Sequence, residues 1–221
     1  MLIAIEGIDG SGKGTQSARL VERWNEAGHK TALLSFPQYA KTLFGRAVGD
    51  FLNGRFGSLD AVHPFLASLL YAGDRFESRD VLQQLLDTHE HVVLDRYVAS
   101  NLAHQGAKCD GPARVELLDR IRTIEHEIYG MPVADRTILL DLPALQAQEL
   151  IARKAARTYT EKAADLQEAD GRYLARVSEV YRELAVADSH HWRIISCSDA
   201  EGIRPVEAIS DDVFRAARRE S

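Results

Sequence analysis

The sequence predicts an α/β fold: an open, five-stranded parallel sheet with helices on both of its faces. Short, almost continuously apolar segments alternate with longer segments of helical periodicity along the 221 residues. Such apolar segments are typical of parallel strands that are covered on both sides. The alternation itself predicts right-handed crossovers, and therefore a parallel sheet between two helical layers.

Five segments have the character of strands. They are Leu2–Glu6, Thr31–Phe36, Val92–Asp95, Thr137–Asp141 and Trp192–Ser196. Polar residues gather where the first three end: a glycine-rich turn, then Phe36-Pro37-Gln38-Tyr39, then Asp95-Arg96-Tyr97. Ligands of open parallel sheets bind beyond the carboxyl ends of the strands. We therefore expect the functional site at that edge.

Helical periodicity covers most of the chain between these strands. The predicted helices span residues 13–27, 59–88, 113–128, 144–156, 169–187 and 204–218. In the first of them, Ala18, Val21, Trp24 and Ala27 recur at roughly helical spacing, and Gly28 is a suitable stop. A chain of this length is expected to form one domain, residues 1–221, with an inserted flap.

Residues 7–15, Gly-Ile-Asp-Gly-Ser-Gly-Lys-Gly-Thr, connect the first strand to the first helix. The glycines let the backbone wrap closely and aim N–H groups inward. The helix N-terminus and the Lys13 ammonium add positive charge. This context predicts a P-loop NTPase fold and a triphosphate site. Its expected residues are Gly7, Asp9, Gly10, Ser11, Gly12, Lys13, Gly14 and Thr15.

Composition and charge exclude several classes of protein. The net charge of −6 provides no overall basic field for nucleic acid, and no apolar run approaches the ~20 residues that span a bilayer. Cys109 and Cys197 lie far apart without metal-ligand spacing, which is typical of reduced thiols. Met1 leads straight into the first strand, leaving no room for a signal peptide. We therefore expect a cytoplasmic protein.

Two further segments carry groups suited to a nucleotide. Asp95 closes a predicted strand beside the phosphate loop, where it can orient Mg²⁺ and its waters, and Arg96 can grip a phosphate with two hydrogen bonds. Tyr71 and Arg75 lie four residues apart in a predicted helix and share a face that suits a base and its phosphate. A surface ion pair, a helix cap or a core tyrosine would explain the same residues.

Together these segments resemble the thymidylate kinases, the P-loop kinases that phosphorylate dTMP. The resemblance runs in the family's order from residue 2 to about 187. It rests on Ile5-Glu6-Gly7-Ile8-Asp9-Gly10, Phe36-Pro37-Gln38-Tyr39, Asp74-Arg75, Asp95-Arg96-Tyr97-Val98-Ala99-Ser100-Asn101 and Asp165-Leu166-Gln167-Glu168. It implies transfer of the ATP γ-phosphoryl group to dTMP with Mg²⁺, giving dTDP and ADP, by a homodimer.

The resemblance also implies roles for individual residues. Lys13 would stabilise the β- and γ-phosphates, and Arg75 and Arg96 would place the acceptor phosphate. The carboxylates of Asp9 and Asp95 would lie near the metal with the Thr15 hydroxyl, partly through water. The residues expected around dTMP are Asp9, Phe36, Pro37, Tyr39, Tyr71, Arg75, Arg96, Ser100, Asn101 and His104. At position 104 the family commonly has tyrosine, associated with sensing a missing 2′-hydroxyl, so we expect weaker discrimination against ribose.

A charged segment, residues 153–170, is the expected mobile lid. The phosphate loop contains no arginine, and the chain resembles those thymidylate kinases that carry the catalytic arginine on the lid. Arg153 and Arg157 are the candidates; a solvated charged helix is the alternative. Two other functions stay open: another monophosphate kinase, for AMP, UMP or CMP, and a nucleotide-dependent switch. The Asp-Gly-Phe-Pro-Arg segment of adenylate kinases and the Asn-Lys-x-Asp segment of switch GTPases are absent.

Overall fold

The computed structural model describes residues 1–58, 61–152 and 171–218. Its centre is a five-stranded sheet in the order β2-β3-β1-β4-β5, with every neighbouring pair parallel. The strands are β1 (Leu2–Glu6), β2 (Thr31–Ser35), β3 (His91–Asp95), β4 (Arg136–Asp141) and β5 (Trp192–Ser196). All five predicted strands are confirmed, each to within one residue at either end.

The burial of the strands explains why they could be predicted from the sequence. Every residue of β1, in the middle of the sheet, is buried, as continuous apolar character requires. The edge strands β2 and β5 are covered less completely: Leu33 is 40% exposed and Ile194 is 46% exposed. The sheet order changes direction at β1, which places the open crevice at the carboxyl ends of β1 and its neighbours.

Helices cover both faces of the sheet, as predicted. They are α1 (Lys13–Glu26), α2 (Leu43–Leu52), α3 (Pro64–Glu77), α4 (Arg79–Thr88), α5 (Val98–Gly106), α6 (Gly111–Arg122), α7 (Ala144–Ala152), α8 (Gly171–Ala187) and α9 (Val206–Ala217). A π-helix, Thr123–Ile128, continues directly from α6. Helices α1 and α9 pack on each other and on the sheet, and α5 packs on α3 and α8. A short antiparallel pair, β6 (Ser198–Asp199) and β7 (Gly202–Ile203), was not predicted.

The prediction of one helix over residues 59–88 was wrong. The described part forms two helices that meet at Ser78, whose hydroxyl donates to the Asp74 carbonyl at 2.9 Å. A serine hydroxyl that bonds to the carbonyl four residues earlier weakens the backbone hydrogen bonding of the helix at that point. Helix α3 begins with Pro64 after His63, whose ring accepts from the Phe65 N–H. Proline is common at the first position of a helix, so this start could have been predicted from the sequence.

Two short helices, α2 and α5, were missed altogether. Helix α2 contains Gly45 and Gly49, which lower helix propensity, but Thr42 caps its start by accepting from the Gly45 N–H at 2.8 Å. Helix α5 follows the third strand after only two residues. The connection from α5 to α6 is short, since α5 includes Gly106 and α6 begins at Gly111.

The buried face of α1 also differs from the predicted stripe. Ala18 and Ala27 are exposed, whereas the inward residues are Lys13, Gln16, Ser17, Leu20 and Trp24. Polar residues occupy the first turn of this face because it meets the phosphate loop rather than the core. The predicted lid, with Arg153 and Arg157, lies outside the described residues.

Cys109 and Cys197 are both free thiols, and Cys197 is buried. Among residues 1–58, 61–152 and 171–218, no helix combines the length and apolar character needed to cross a bilayer.

Candidate active site

The phosphate loop turns sharply between β1 and α1. Gly7, Gly10 and Gly12 adopt φ values of 144°, 84° and 90°, in the region that favours glycine. A Cβ on Gly10 would also lie 2.4 Å from the Ala147 carbonyl oxygen. Gly12 precedes α1 without a side-chain cap, so the first-turn N–H groups remain for an anion. The geometry is that of the predicted anion cradle.

Lys13 and Ser11 are two of the buried polar side chains of this cradle. The Lys13 ammonium donates to the Ile8 carbonyl at 2.7 Å. Burial, together with the nearby Arg96 charge, lowers the pKa of Lys13 to about 7. The Ser11 hydroxyl is buried, and no described residue hydrogen-bonds to it. A phosphate placed here would restore the lysine charge and give the hydroxyl a partner.

A cavity of about 310 Å³ lies beside the phosphate loop at the carboxyl ends of β1, β2 and β3. All ten residues expected around dTMP line it. They are Asp9, Phe36, Pro37, Tyr39, Tyr71, Arg75, Arg96, Ser100, Asn101 and His104. The structure thus brings together residues from the phosphate loop, the turn after β2, α3 and α5. Ser35, Leu52, Asp95 and Gln105 complete its wall.

Arg96 joins the cavity to the phosphate loop. Its Nη2 donates to the Asp9 carboxylate at 2.5 Å, and its Nη1 donates to the Ser100 hydroxyl at 3.2 Å. Its backbone φ is +70°, the only positive value at a non-glycine among the described residues. Such a conformation is uncommon and costs about 1–3 kcal/mol, which is a cost found mainly at functional positions. The strained backbone aims the guanidinium at the junction of loop and cavity.

Glu6 supports this arrangement from the end of β1, a role that was not predicted from the sequence. It is fully buried at the end of β1 and accepts from the N–H groups of Tyr97 and Ser100, at 2.7 and 3.2 Å. The hydroxyls of Ser100 and Tyr181 also donate to it, at 2.6 and 3.0 Å. Burial raises the pKa of Glu6, while these donors oppose the rise. The carboxylate therefore caps α5 and positions the serine that Arg96 contacts.

Arg75 is paired with Glu125, a residue that sequence reasoning also missed. Its Nε donates to Glu125 Oε2 at 2.9 Å and its Nη2 donates to Oε1, so the pair is bidentate. Both side chains are almost fully buried. The π-helix brings Glu125 into the interior, and π-turns of this kind are frequent at functional sites. Asn101 Nδ2 donates to the same carboxylate at 2.9 Å.

Asp74 does not line the cavity, although Arg75 beside it does. Its buried carboxylate accepts from the Gln38 N–H at 3.0 Å and from the Thr42 hydroxyl at 2.5 Å. It therefore anchors the turn that carries Phe36 and Tyr39, while its neighbour Arg75 faces the cavity. Adjacent helical residues point in different directions, so one dipeptide serves both purposes.

Two residues of helix α5 that line the cavity carry buried polar atoms without a hydrogen-bond partner among the described residues. The Asn101 Oδ1 and both amide atoms of Gln105 are buried, and none has a hydrogen-bond partner within the described residues. Because Asn101 Nδ2 donates to the Ser68 carbonyl and to Glu125, its Oδ1 is fixed as the acceptor. Gln105 was absent from the predicted set, although its spacing of four from Asn101 places both on one face.

His104 is neutral in this environment. Burial, with the Arg96 charge, lowers its pKa to about 3. The Tyr173 hydroxyl donates to the His104 carbonyl at 2.9 Å and lies 3.2 Å from Nδ1. Since that hydroxyl has one hydrogen, Nδ1 carries the ring hydrogen and Nε2 is left as an acceptor.

The oxygen groups near the phosphate loop fit a magnesium ion. A Cβ on Gly14 would lie only 3.2 Å from Asp95 Oδ2, which places that carboxylate at the start of α1. Asp9 lies on the loop itself, and Thr15 is exposed in the first turn of α1. Carboxylate and hydroxyl oxygens with room for water suit this hard cation.

Comparison with known proteins agrees with the geometry. The chain is 35% identical to a thymidylate kinase of Mycobacterium tuberculosis over 185 residues, covering 84% of this chain and 86% of that one. It is 31% identical to the thymidylate kinase of Deinococcus radiodurans over 218 residues, covering 98% and 95%. A solved thymidylate kinase from Candida albicans, 24% identical, matches the fold with a TM-score of 0.73 over 97% of this chain and 89% of that one.

The family model described as thymidylate kinase matches residues 5–206, which include the phosphate loop and the whole cavity wall. Because the match covers most of the chain and relatives above 30% identity span nearly its whole length, the chain belongs to the thymidylate kinase family.

Proposed function

We propose that this chain transfers the γ-phosphoryl group of ATP to dTMP, producing dTDP and ADP. One observation carries the proposal: the residues expected to bind the acceptor converge on one cavity that Arg96 links to the phosphate loop through Asp9. An acceptor phosphate beside Arg96 would face a donor phosphate beside Lys13. In-line transfer between phosphates needs positioned substrates and converging positive charge rather than a protein nucleophile.

Position, rather than charge pairing, divides the two arginines between the ends of dTMP, since each is paired with a carboxylate. Arg75 lines the cavity with Asn101, and both bond to Glu125. Arg96 lies at the phosphate loop. We therefore assign Arg96 to the acceptor phosphate and shift Arg75 from the expected phosphate role to the base. Asn101 Oδ1 then accepts from the thymine N–H, and Tyr71 provides a flat surface for stacking.

The donor side uses the phosphate loop. Its N–H groups and Lys13 bind the β- and γ-phosphates, and the Ser11 hydroxyl gains an acceptor there. Asp9, Asp95 and Thr15 would hold Mg²⁺, partly through water, and the bound ion would offset charge on the transferring phosphates. Arg153 and Arg157 remain the proposed lid arginines on the strength of the sequence alone.

An acceptor panel tests the proposal. With ATP and Mg²⁺, purified protein is expected to phosphorylate dTMP with a kcat/KM well above those for AMP, CMP and UMP. Hydrolysis without an acceptor should be a small fraction of that turnover. Faster phosphorylation of AMP, UMP or CMP would assign a different monophosphate kinase. ATP or GTP hydrolysis that no acceptor stimulates would support a switch.

Gln105→Leu is expected to raise the KM for dTMP by roughly tenfold or more, with kcat changed much less. The amide is buried without a partner among the described residues, and Gln105 lines the cavity, so we expect bound dTMP to provide the partner. Leucine of similar volume removes those polar groups, and the ligand-free variant should be more stable to heat. Steady-state kinetics and thermal unfolding measure the two effects. An unchanged KM with raised stability would show that Gln105 packs in the cavity wall without binding dTMP.

His104→Tyr is expected to increase discrimination against ribose by about tenfold, the value of roughly one hydrogen bond. The neutral imidazole leaves Nε2 as an acceptor for a 2′-hydroxyl, and tyrosine would occupy more of the space. The measurement is the ratio of kcat/KM for dUMP over UMP in both proteins. His104→Phe is the control that separates bulk from the tyrosine hydroxyl. An equal ratio in wild type and His104→Tyr would argue against a sensing role.

We further propose a homodimer in the cytoplasm. Exposed apolar side chains on packed helices support an interface: Leu66 on α3 is 56% exposed and Val115 on α6 is 59% exposed. The two free thiols suit a reducing compartment. The partners of the reaction are small nucleotides.

A further inference from the structure

A second cluster of ligand-type side chains lies at the edge of the sheet opposite the nucleotide cavity. His29 precedes β2, and Glu90 and His91 stand at the start of β3, so all three lie at the amino ends of the strands. One ligand atom from each lies within 4.8 Å of the other two. His29 Nδ1 and Glu90 Oε2 are already 3.0 Å apart.

Backbone hydrogen bonds hold the two turns together. The Glu90 N–H donates to the Lys30 carbonyl at 2.9 Å, and the Lys30 N–H donates to Glu90 Oε1 at 3.2 Å. The His91 ring stacks on Trp24 with centroids 4.2 Å apart. One oxygen of the Glu90 carboxylate and the His91 ring therefore already have partners that limit their motion, which lowers part of the entropic cost of binding.

We propose that His29, Glu90 and His91 bind a divalent transition-metal ion of the Zn²⁺, Ni²⁺ and Cu²⁺ class. Two imidazoles and a carboxylate are a donor set that these ions prefer. Ligand atoms about 2.1 Å from a tetrahedral ion lie roughly 3.4 Å apart. The widest spacing, up to 4.8 Å, must therefore shrink by about 1.4 Å, while the 3.0 Å between His29 Nδ1 and Glu90 Oε2 must lengthen slightly. The side chains of His29 and Glu90 are 47% and 56% exposed and can rotate to achieve this.

Neighbouring positive charges favour a transition-metal ion over Mg²⁺ or Ca²⁺ at this site. Arg218 lines the same recess, and the Met1 amine donates to the Glu90 carbonyl at 2.7 Å. These positive groups oppose Mg²⁺ and Ca²⁺, which bind oxygen donors mainly by charge and need several carboxylates. Imidazole coordination of a transition metal depends less on net charge. A bound ion would join the α1–β2 turn to the α4–β3 turn and stabilise the fold.

Fluorescence of Trp24 provides the test, because a paramagnetic ion on His91 quenches the stacked indole. Untagged Trp192→Phe protein, in which Trp24 is the remaining tryptophan, is titrated with Ni²⁺. We expect quenching that saturates at one ion per chain, is reversed by Zn²⁺ competition, and is not produced by millimolar Mg²⁺. In the same background, His29→Asn and His91→Phe should weaken Ni²⁺ binding at least 30-fold. His191→Asn is the matched control, since His191 pairs with Asp188 at 2.9 Å on the same edge of the sheet.

Thermal unfolding gives an independent measurement. Saturating Zn²⁺ is expected to raise the Tm of wild type by about 5 °C, and that of His29→Asn by much less. Equal Ni²⁺ affinity in wild type and His29→Asn, or loss of quenching in His191→Asn, would overturn the proposal. This inference does not depend on the proposed kinase activity, which uses the opposite edge of the sheet.

Discussion

Replacing Arg96 with methionine is expected to lower kcat/KM for dTMP by about 10³-fold, or roughly 4 kcal/mol of transition-state stabilisation. The guanidinium is the cation that joins the acceptor cavity to Asp9 of the phosphate loop. Without it, the acceptor phosphate loses its charge partner and its alignment with the donor. Steady-state kinetics with dTMP varied at saturating ATP measure the loss.

Arg96→Lys is the matched control for geometry. It keeps a positive charge but not the planar fork that reaches both Asp9 and Ser100, so kcat/KM should recover only partly. Any side chain at φ +70° carries the same backbone strain, but Arg96→Met also removes the ion pair with Asp9, so denaturant unfolding of both variants is measured beside the kinetics. If Arg96→Met lowers kcat/KM for dTMP by less than tenfold, Arg96 does not bind the acceptor phosphate.

Glu125→Gln is expected to lower the free energy of unfolding by about 3–5 kcal/mol, the usual cost of stranding a buried charge. Arg75 is 2% exposed, and its bidentate partner is this carboxylate. The KM for dTMP should rise as well, because Asn101 also bonds to Glu125. Denaturant unfolding measures the stability, and steady-state kinetics measure the KM.

A double variant separates the structural role of this pair from its role in binding. Arg75→Met with Glu125→Met replaces the ion pair by apolar side chains, and such replacements are often close to neutral in stability. We expect the double variant to unfold near wild type but to bind dTMP far more weakly. A double variant that regains both stability and the wild-type KM would show that Arg75 does not contact the acceptor.

The parts of the site that were predictable from sequence share one property: they are encoded locally. The phosphate loop is a continuous segment between an apolar strand and a helix, so its conformation follows from the glycines at 7, 10 and 12. The cavity wall was predictable because parallel strands end at one edge of the sheet. This places Tyr39 and Arg96 on the same wall independently of how the helices pack. The roles assigned to these residues stay predictions until the experiments above are done.

Glu6, Gln105 and Glu125 illustrate what was not predictable. Glu6 acts on Ser100 across 94 positions of sequence, and Glu125 acts on Arg75 across 50. A buried carboxylate in an apolar strand, or on a segment of helical period, has no local signal that names its partner. Gln105 became a candidate only when its amide was found buried without a partner among the described residues.

By itself, the sequence determined the sheet, the anion cradle and the set of residues at the strand ends, because hydrophobic period and glycine conformation act over a few neighbouring positions. Tertiary structure alone decided which charges are neutralised: Arg75 by Glu125, and Arg96 by Asp9 of the loop. Those pairings depend on distances between remote segments, and the pairing of Arg96 with the loop underlies our proposal that Arg96 binds the phosphate and Arg75 the base.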